Sequence, residues 1–169
     1  MSGDAVDEII GLWAEERPDL AERLWPVQVL GRLQRLGVTL DREFRAFAAA
    51  RGLELGEFDV LNTLRRSGPP YELTAGDLKR AAMVTSGAIT NRIDRVEAKG
   101  LVERVREAAD RRVVKIRLTE RGREITQAFM DDHLVNEARM LKDFDRAECD
   151  ELSALLRRLL VSFGDTTIR

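Results

Sequence analysis

The chain has 169 residues, of which 44% are apolar and 34% charged, and a formal net charge of −2. That is enough to bury a core and too little for two ordinary domains, so one domain is the expectation. A single cysteine, Cys149, excludes an intrachain disulfide, and with one histidine, His133, there are too few soft ligands for structural zinc; no cofactor or metal is expected. Met1 to Glu8 is acidic, and the longest apolar run is only Ala46 to Ala50, which predicts a soluble cytoplasmic protein without a membrane partner.

The predicted elements are mostly helices. Val6, Ile9, Ile10 and Trp13 recur at helical spacing, so a short amphipathic helix is expected over Asp4 to Glu16, ending before Pro18. A longer helix runs from Pro26 to Ala50, and a third from Glu57 to Arg66 carries Phe58, Leu61 and Leu64 on one side. Thr74 and Asp77 form a start signal for a brief helix through Ala81, and a turn over Met83 to Ser86 opens a helix to Lys99, giving a helix-turn-helix. After Gly100 the period alternates: Leu101 to Glu107 and Arg112 to Leu118 flank the turn segment 108–111 as a hairpin. Thr119 caps a long helix to about Phe144. Asp145 and Glu148 repeat the capping pattern before a last helix whose Cys149, Leu152, Leu155, Leu156, Leu159, Leu160 and Phe163 share one broad face.

The expected fold is therefore mainly α with a small β-hairpin, a winged helix-turn-helix over 57–118. An extra N-terminal helix lies over 4–17. The stretches 26–50 and 119–163 have more apolar face than so small a domain covers, which suggests that they form the dimerisation region of a homodimer.

Charge is unevenly placed. Between Lys79 and Arg117 there are 11 basic residues against 5 acidic, a net +6, in a chain whose total is −2, so the remainder carries −8. A basic module in an acidic body suits a protein that presents one face to phosphates. At 100° per residue, Ile89, Ile93 and Val96 share the core side of the helix before Lys99, while Gly87, Asn91, Asp94 and Arg95 take the opposite arc, with Thr90 and Ala88 at its margins. Small residues early in a helix, followed by Asn and Arg able to make paired hydrogen bonds to base edges, fit a helix laid in the major groove of double-stranded DNA. Arg92 falls beside the core stripe and should point back into the protein. Arg111 and Arg112 at the hairpin tip can enter a minor groove, with Asp110 holding one of the pair.

Other classes fit less well. No nucleophile with an adjacent base and no glycine-rich phosphate loop is visible, so an enzyme is not expected. A winged-helix adaptor without DNA would carry a neutral recognition helix, against Asn91, Arg95 and the basic wing. Cys149 could sense redox state but sits where a buried small hydrophobe would, and His133 could titrate at a subunit interface.

The spaced pattern Leu73-Thr74, Asp77-Leu78, Ser86-Gly87, Thr90-Asn91-Arg92-Ile93, Gly100-Leu101-Val102-Glu103-Arg104, Asp110-Arg111-Arg112, Leu118-Thr119 and Gly122 resembles the MarR family of transcriptional regulators. The resemblance implies winged-helix dimers on palindromic operators, commonly repressors released by small anionic or phenolic ligands, with Ser86, Gly87, Thr90, Asn91, Arg95, Arg111 and Arg112 toward DNA. The N-terminal helix with Trp13, the run Gly56 to Leu61 and the run Thr90 to Arg95 further resemble the urate-responsive branch of that family. In that branch the ligand site comprises positions matching Trp13, Asp59, Arg92 and Arg104. A planar purine anion such as urate or xanthine needs a flat partner, a fixed cation and edge contacts, which Trp13, Arg104 and the Asp59 and Arg92 pair would supply; Trp13 on its apolar stripe also suits plain packing. A tricarboxylate such as aconitate, or a phenolic acid, shares the need for Arg104 but depends less on stacking.

Overall fold

The structure, a computed structural model, describes residues 3–82, 86–106 and 112–167. The chain forms two compact units, Met1–Ala50 and Arg51–Arg169. In the first, the helices pack on one another. Helix α1 (Ala5–Glu16) starts at Asp4, whose carboxylate accepts the N–H of Val6 at 2.8 Å and of Asp7 at 3.1 Å, while Asp7 accepts the N–H of Asp4 at 2.8 Å. A 3-10 helix over Pro18–Arg23, not expected from the sequence, leads into α2 (Trp25–Ala49). Gly31 of α2 lets α1 approach: a Cβ there would stand 3.3 Å from Val6 Cγ1. Arg32 then reaches back to Asp4 at 2.7 Å and Asp7 at 2.6 Å. Much of the apolar surface of α2, including Trp25, Val29, Leu30, Leu36 and Val38, stays exposed.

The second unit is a winged helix-turn-helix, as expected. Helix α3 (Leu55–Arg66) buries Phe58, Val60, Leu61 and Leu64. Helices α4 (Ala75–Ala82) and α5 (Ser86–Ala98) follow, the first opened by Thr74, whose hydroxyl donates to Asp77 at 2.6 Å and accepts the Asp77 N–H at 3.1 Å. Leu78 from α4 and Ile89, Ile93 and Val96 from α5 close the core. Strands β2 (Val102–Arg106) and β3 (Val114–Leu118) pair antiparallel, with Arg104 opposite Ile116; the expected hairpin tip, with Asp110 and Arg111, lies outside the described residues. A further strand, β1 (Glu72–Thr74), completes a sheet of order β1-β3-β2.

Helix α6 (Glu120–Met140) is capped by Thr119, which accepts the Gly122 N–H at 3.0 Å. Its Phe129 stacks on Phe58 of α3 with ring centroids 3.8 Å apart, and His133 meets Phe58 edge-on at 5.5 Å. The helix stops at Met140 and not at Phe144, because Asp145 and Glu148 form the reciprocal cap of α7 (Arg146–Ser162) and the chain must leave the helix ahead of them. No residue of α7 is buried. Among the described residues no helix is long and apolar enough to cross a membrane, and no cluster of side chains is suited to a metal ion.

The sheet carries its own acid sensitivity. Glu72 of β1 faces Arg117 at 2.6 Å and Lys115 at 3.2 Å on β3, and the Arg117 guanidinium holds its carboxyl below the ordinary glutamate range against the opposing effect of burial. A depressed folded-state pKa stabilises above the unfolded value, about 4.3, and that contribution is lost as pH falls through the folded value. Glu72→Gln is therefore expected to melt below wild type by an amount on the order of 1 kcal/mol above about pH 5, with the gap closing under about pH 4. Thermal melts of the two proteins across that range check it.

Candidate nucleic-acid interface

Helix α5 divides its surface three ways. Its inner side is buried through Ile89, Ile93 and Val96, and Thr90, Asn91, Asp94 and Arg95 are exposed. Ser86 and Gly87 lie in its first turn, their side chains outside the described part. Arg112 is exposed beyond the wing tip, and Arg111 lies outside the described residues.

The flank toward α3 is a row of ion pairs. Arg92 turns inward, its side chain 22% exposed, and stands 3.5 Å from Asp59. It can do so because position 56 is glycine: a Cβ there would come within 2.4 Å of Arg92 Nε and 2.6 Å of Cζ. The Nη1 atom of Arg92 is buried and makes no hydrogen bond among the described residues, its distance to Asp59 being longer than a good charge-assisted bond. One turn on, Arg95 reaches Glu54 at 2.9 Å and Glu57 at 3.5 Å. Its angle on the helix predicts a guanidinium free on the open arc; instead the long side chain folds back to the two carboxylates of the α3 start. Lys99 closes the row, donating to Glu57 at 2.6 Å and to the Gly52 carbonyl at 2.9 Å.

The opposite flank meets β2. Arg104, expected to hold an anion, is hydrogen-bonded to Asp94 and Glu97, which lie three residues apart on one side of α5; Asp94, more than any other group, pushes the Arg104 pKa further up. Of the four residues matched to a ligand site, Asp59 and Arg92 are in contact, and Arg104 is joined to the same helix as Arg92 through Asp94 and Glu97. Trp13 belongs to the first unit, about half exposed on α1.

Four participants escaped the sequence reading: Gly56 as the seat of Arg92, Glu57 as a buried carboxylate, Lys99 as its partner, and Glu97 as a ligand of Arg104. A helical wheel of α3 could have shown Glu57 next to the Phe58, Leu61 and Leu64 arc. Seen alone, it reads as a first-turn acid favoured by the helix dipole.

The profile of the MarR family matches residues 51–113. The transcriptional regulator PecS of Dickeya dadantii is 36% identical over 154 residues, covering 91% of this chain and 92% of that protein. Among solved structures, Sco5413, a MarR family regulator from Streptomyces coelicolor, superposes with a TM-score of 0.70 at 27% identity over 83% of this chain and 96% of the other. A cysteine-to-serine mutant of Escherichia coli MarR complexed with operator DNA gives 0.68 at 26% identity over 88% and 98%.

Proposed function

The chain belongs to the MarR family of DNA-binding transcriptional regulators, and from that premise we propose that it is a homodimeric repressor released from a palindromic operator by urate or a related purine such as xanthine. Two copies of α5 enter successive major grooves about one helical turn apart, reading bases through Ser86, Gly87, Thr90, Asn91 and Arg95, with Arg111 and Arg112 in the flanking minor grooves. The exposed apolar residues of α7, Leu152, Leu155, Leu160 and Val161, together with Leu134 and Val135 of α6, form the surface for the second copy.

One observation carries the ligand response: Arg92, on the reading helix, turns a half-buried guanidinium inward to Asp59 and leaves its buried Nη1 without a hydrogen bond among the described residues. A buried donor without an acceptor is costly, and an anionic or carbonyl-rich ring supplies the acceptor. An anion recruited to Arg92 and Arg104 competes with Asp59, loosens the tie and shifts α5 away from its DNA-competent pitch. DNA affinity then falls by the ligand's preference for the shifted state and by no more. By resemblance, Trp13 is the stacking partner.

The row of Arg92, Arg95 and Lys99 along one flank favours a second reading, in which the ligand is a tricarboxylate such as aconitate, matched by charge in place of stacking. A phenolic acid is the third compound of the series.

The experiment is an operator titration with urate, xanthine, aconitate and salicylate, after sedimentation has established the oligomeric state. Saturating urate is expected to weaken operator binding by about 5–150-fold, and Trp13→Ala and Arg92→Ala to lose that response. A stable monomer, or urate without effect on the wild-type complex, overturns the reading; release by aconitate alone selects the second one.

A further inference from the structure

Glu57 is 1% exposed, the deepest carboxylate among the described residues, and it is not one of the residues assigned above to DNA or ligand. An ionised carboxylate goes that deep only when its oxygens are occupied. Here Oε2 accepts from Lys99 Nζ at 2.6 Å and from the Glu54 N–H at 2.8 Å, and Oε1 stands 3.5 Å from Arg95 Nε. Lys99 also grips the Gly52 carbonyl, and Arg95 also grips Glu54. The start of α3 thus holds the C-terminal end of α5 through a set of polar links gathered around one buried charge.

We propose that Glu57 is a specificity-determining positioning residue, whose negative charge fixes the pitch of α5, keeps Arg95 in register for bases and restrains Lys99 from phosphates of any sequence. This rests on α5 being the base-reading helix. The leverage is geometric. From Lys99 to Gly87 the helix rises ~18 Å, so a tilt of about 5° at the clamped end moves the first turn by about 1.6 Å, more than paired base contacts tolerate. Loss of the clamp has a second effect of opposite sign. Arg95 and Lys99, no longer neutralised, become available to phosphates, which strengthens sequence-independent binding and steepens its salt dependence by roughly 0.9 in log–log slope per cation engaged. Weaker operator binding together with stronger random-DNA binding is the mark of a lost clamp; simple unfolding weakens both.

The test uses the full chain and a duplex that wild type selects from a random-sequence pool, with a scrambled duplex of the same composition as the random probe. Glu57→Gln keeps the volume and an acceptor for the Glu54 N–H, removes the charge and turns the oxygen that faces Arg95 into an N–H donor. It is expected to lower the operator-to-random affinity ratio at least tenfold, to raise the salt slope on the scrambled duplex, and to leave the fold intact by circular dichroism. Lys99→Gln breaks the same link from its exposed end and serves if Glu57→Gln does not fold. It is expected to lower the ratio in wild type and, in the Glu57→Gln background, to lower it no further while taking back part of the gain in random-DNA affinity, whereas independent contributions would multiply. Glu151→Gln on α7 makes the same change of net charge and is expected to leave the ratio as in wild type. A wild-type ratio for both Glu57→Gln and Lys99→Gln, multiplicative effects of the two, or an equal change for Glu151→Gln overturns the proposal while α5 remains the reader. If wild type enriches no sequence from the pool, the base-reading role itself falls, and the proposal with it.

Discussion

Replacing Gly122 with alanine is expected to lower the melting temperature by about 6–12 °C, the consequence of a destabilisation of about 3 kcal/mol in a chain of this size. Gly122 lies in the first turn of α6, where the helix is seated directly on the backbone of the segment before β2. A Cβ there would fall 2.0 Å from the carbonyl oxygen of Leu101 and 2.9 Å from its carbonyl carbon. Neither atom can swing aside. The Leu101 carbonyl accepts the Thr119 N–H at 3.1 Å, and the Leu101 N–H is itself bonded to Val96 O at 3.0 Å, so moving it disturbs the α6 cap and the end of α5 together. The helix cannot shift away either, since the Thr119 hydroxyl at its cap donates to the Gly100 carbonyl at 2.9 Å and Phe129 is stacked on Phe58 of α3. Gly11→Ala in α1, where a Cβ meets nothing within 4 Å, is the control and should raise stability by about 0.5–1 kcal/mol through helix propensity. Equal melting temperatures for the two variants would show that α6 is not seated on Leu101.

The contrast between those two glycines also shows what a sequence reveals. Local chemistry was legible: the Thr74 and Asp77 pair, Thr119 and the Asp145 and Glu148 pair cap the helices they were expected to cap, because capping depends on residues within one turn. So was periodicity, since the core faces of α3 and α5 follow from spacing alone. Strand β1 was not legible, because its three residues have no alternation to detect and exist as a strand only through β3. The 3-10 helix after α1 is likewise a product of packing. Within the candidate site, the inward turn of Arg92 could be computed from its angle. The fold-back of Arg95 could not, because a side chain that long is directed by what carboxylates its neighbours offer, and Glu54 and Glu57 come from 38 to 41 residues earlier in the chain. Arg104 is the same case: the strand fixes where it starts, and Asp94 and Glu97 decide where its charge ends.

Gly56→Ala is expected to remove the ligand response while leaving the fold nearly as stable as wild type. The substitution is benign for α3 itself, because alanine is the better helix former and Gly56, in the first turn, has no left-handed conformation to lose. Its whole cost falls on Arg92. The new methyl would stand 2.4 Å from Nε, 2.6 Å from Cζ and 3.0 Å from Cδ, so the guanidinium must leave the seat from which it faces Asp59. If the Asp59 to Arg92 tie holds α5 at its DNA-competent pitch, Gly56→Ala reproduces the ligand-bound condition without ligand: operator affinity falls about as far as saturating urate takes the wild type, roughly 5–150-fold, and added urate changes it little further. The double variant Gly56→Ala, Arg92→Ala isolates the cause. With the guanidinium gone the methyl has nothing to displace, so the double variant should bind operator as Arg92→Ala does, a coupling that appears in a double-mutant cycle and not in either single variant. Operator titrations of the four proteins with and without urate measure it. A Gly56→Ala protein that still releases DNA at the wild-type urate concentration would mean that the response does not pass through the seat of Arg92, and the tie to Asp59 would then be a structural ion pair and nothing more.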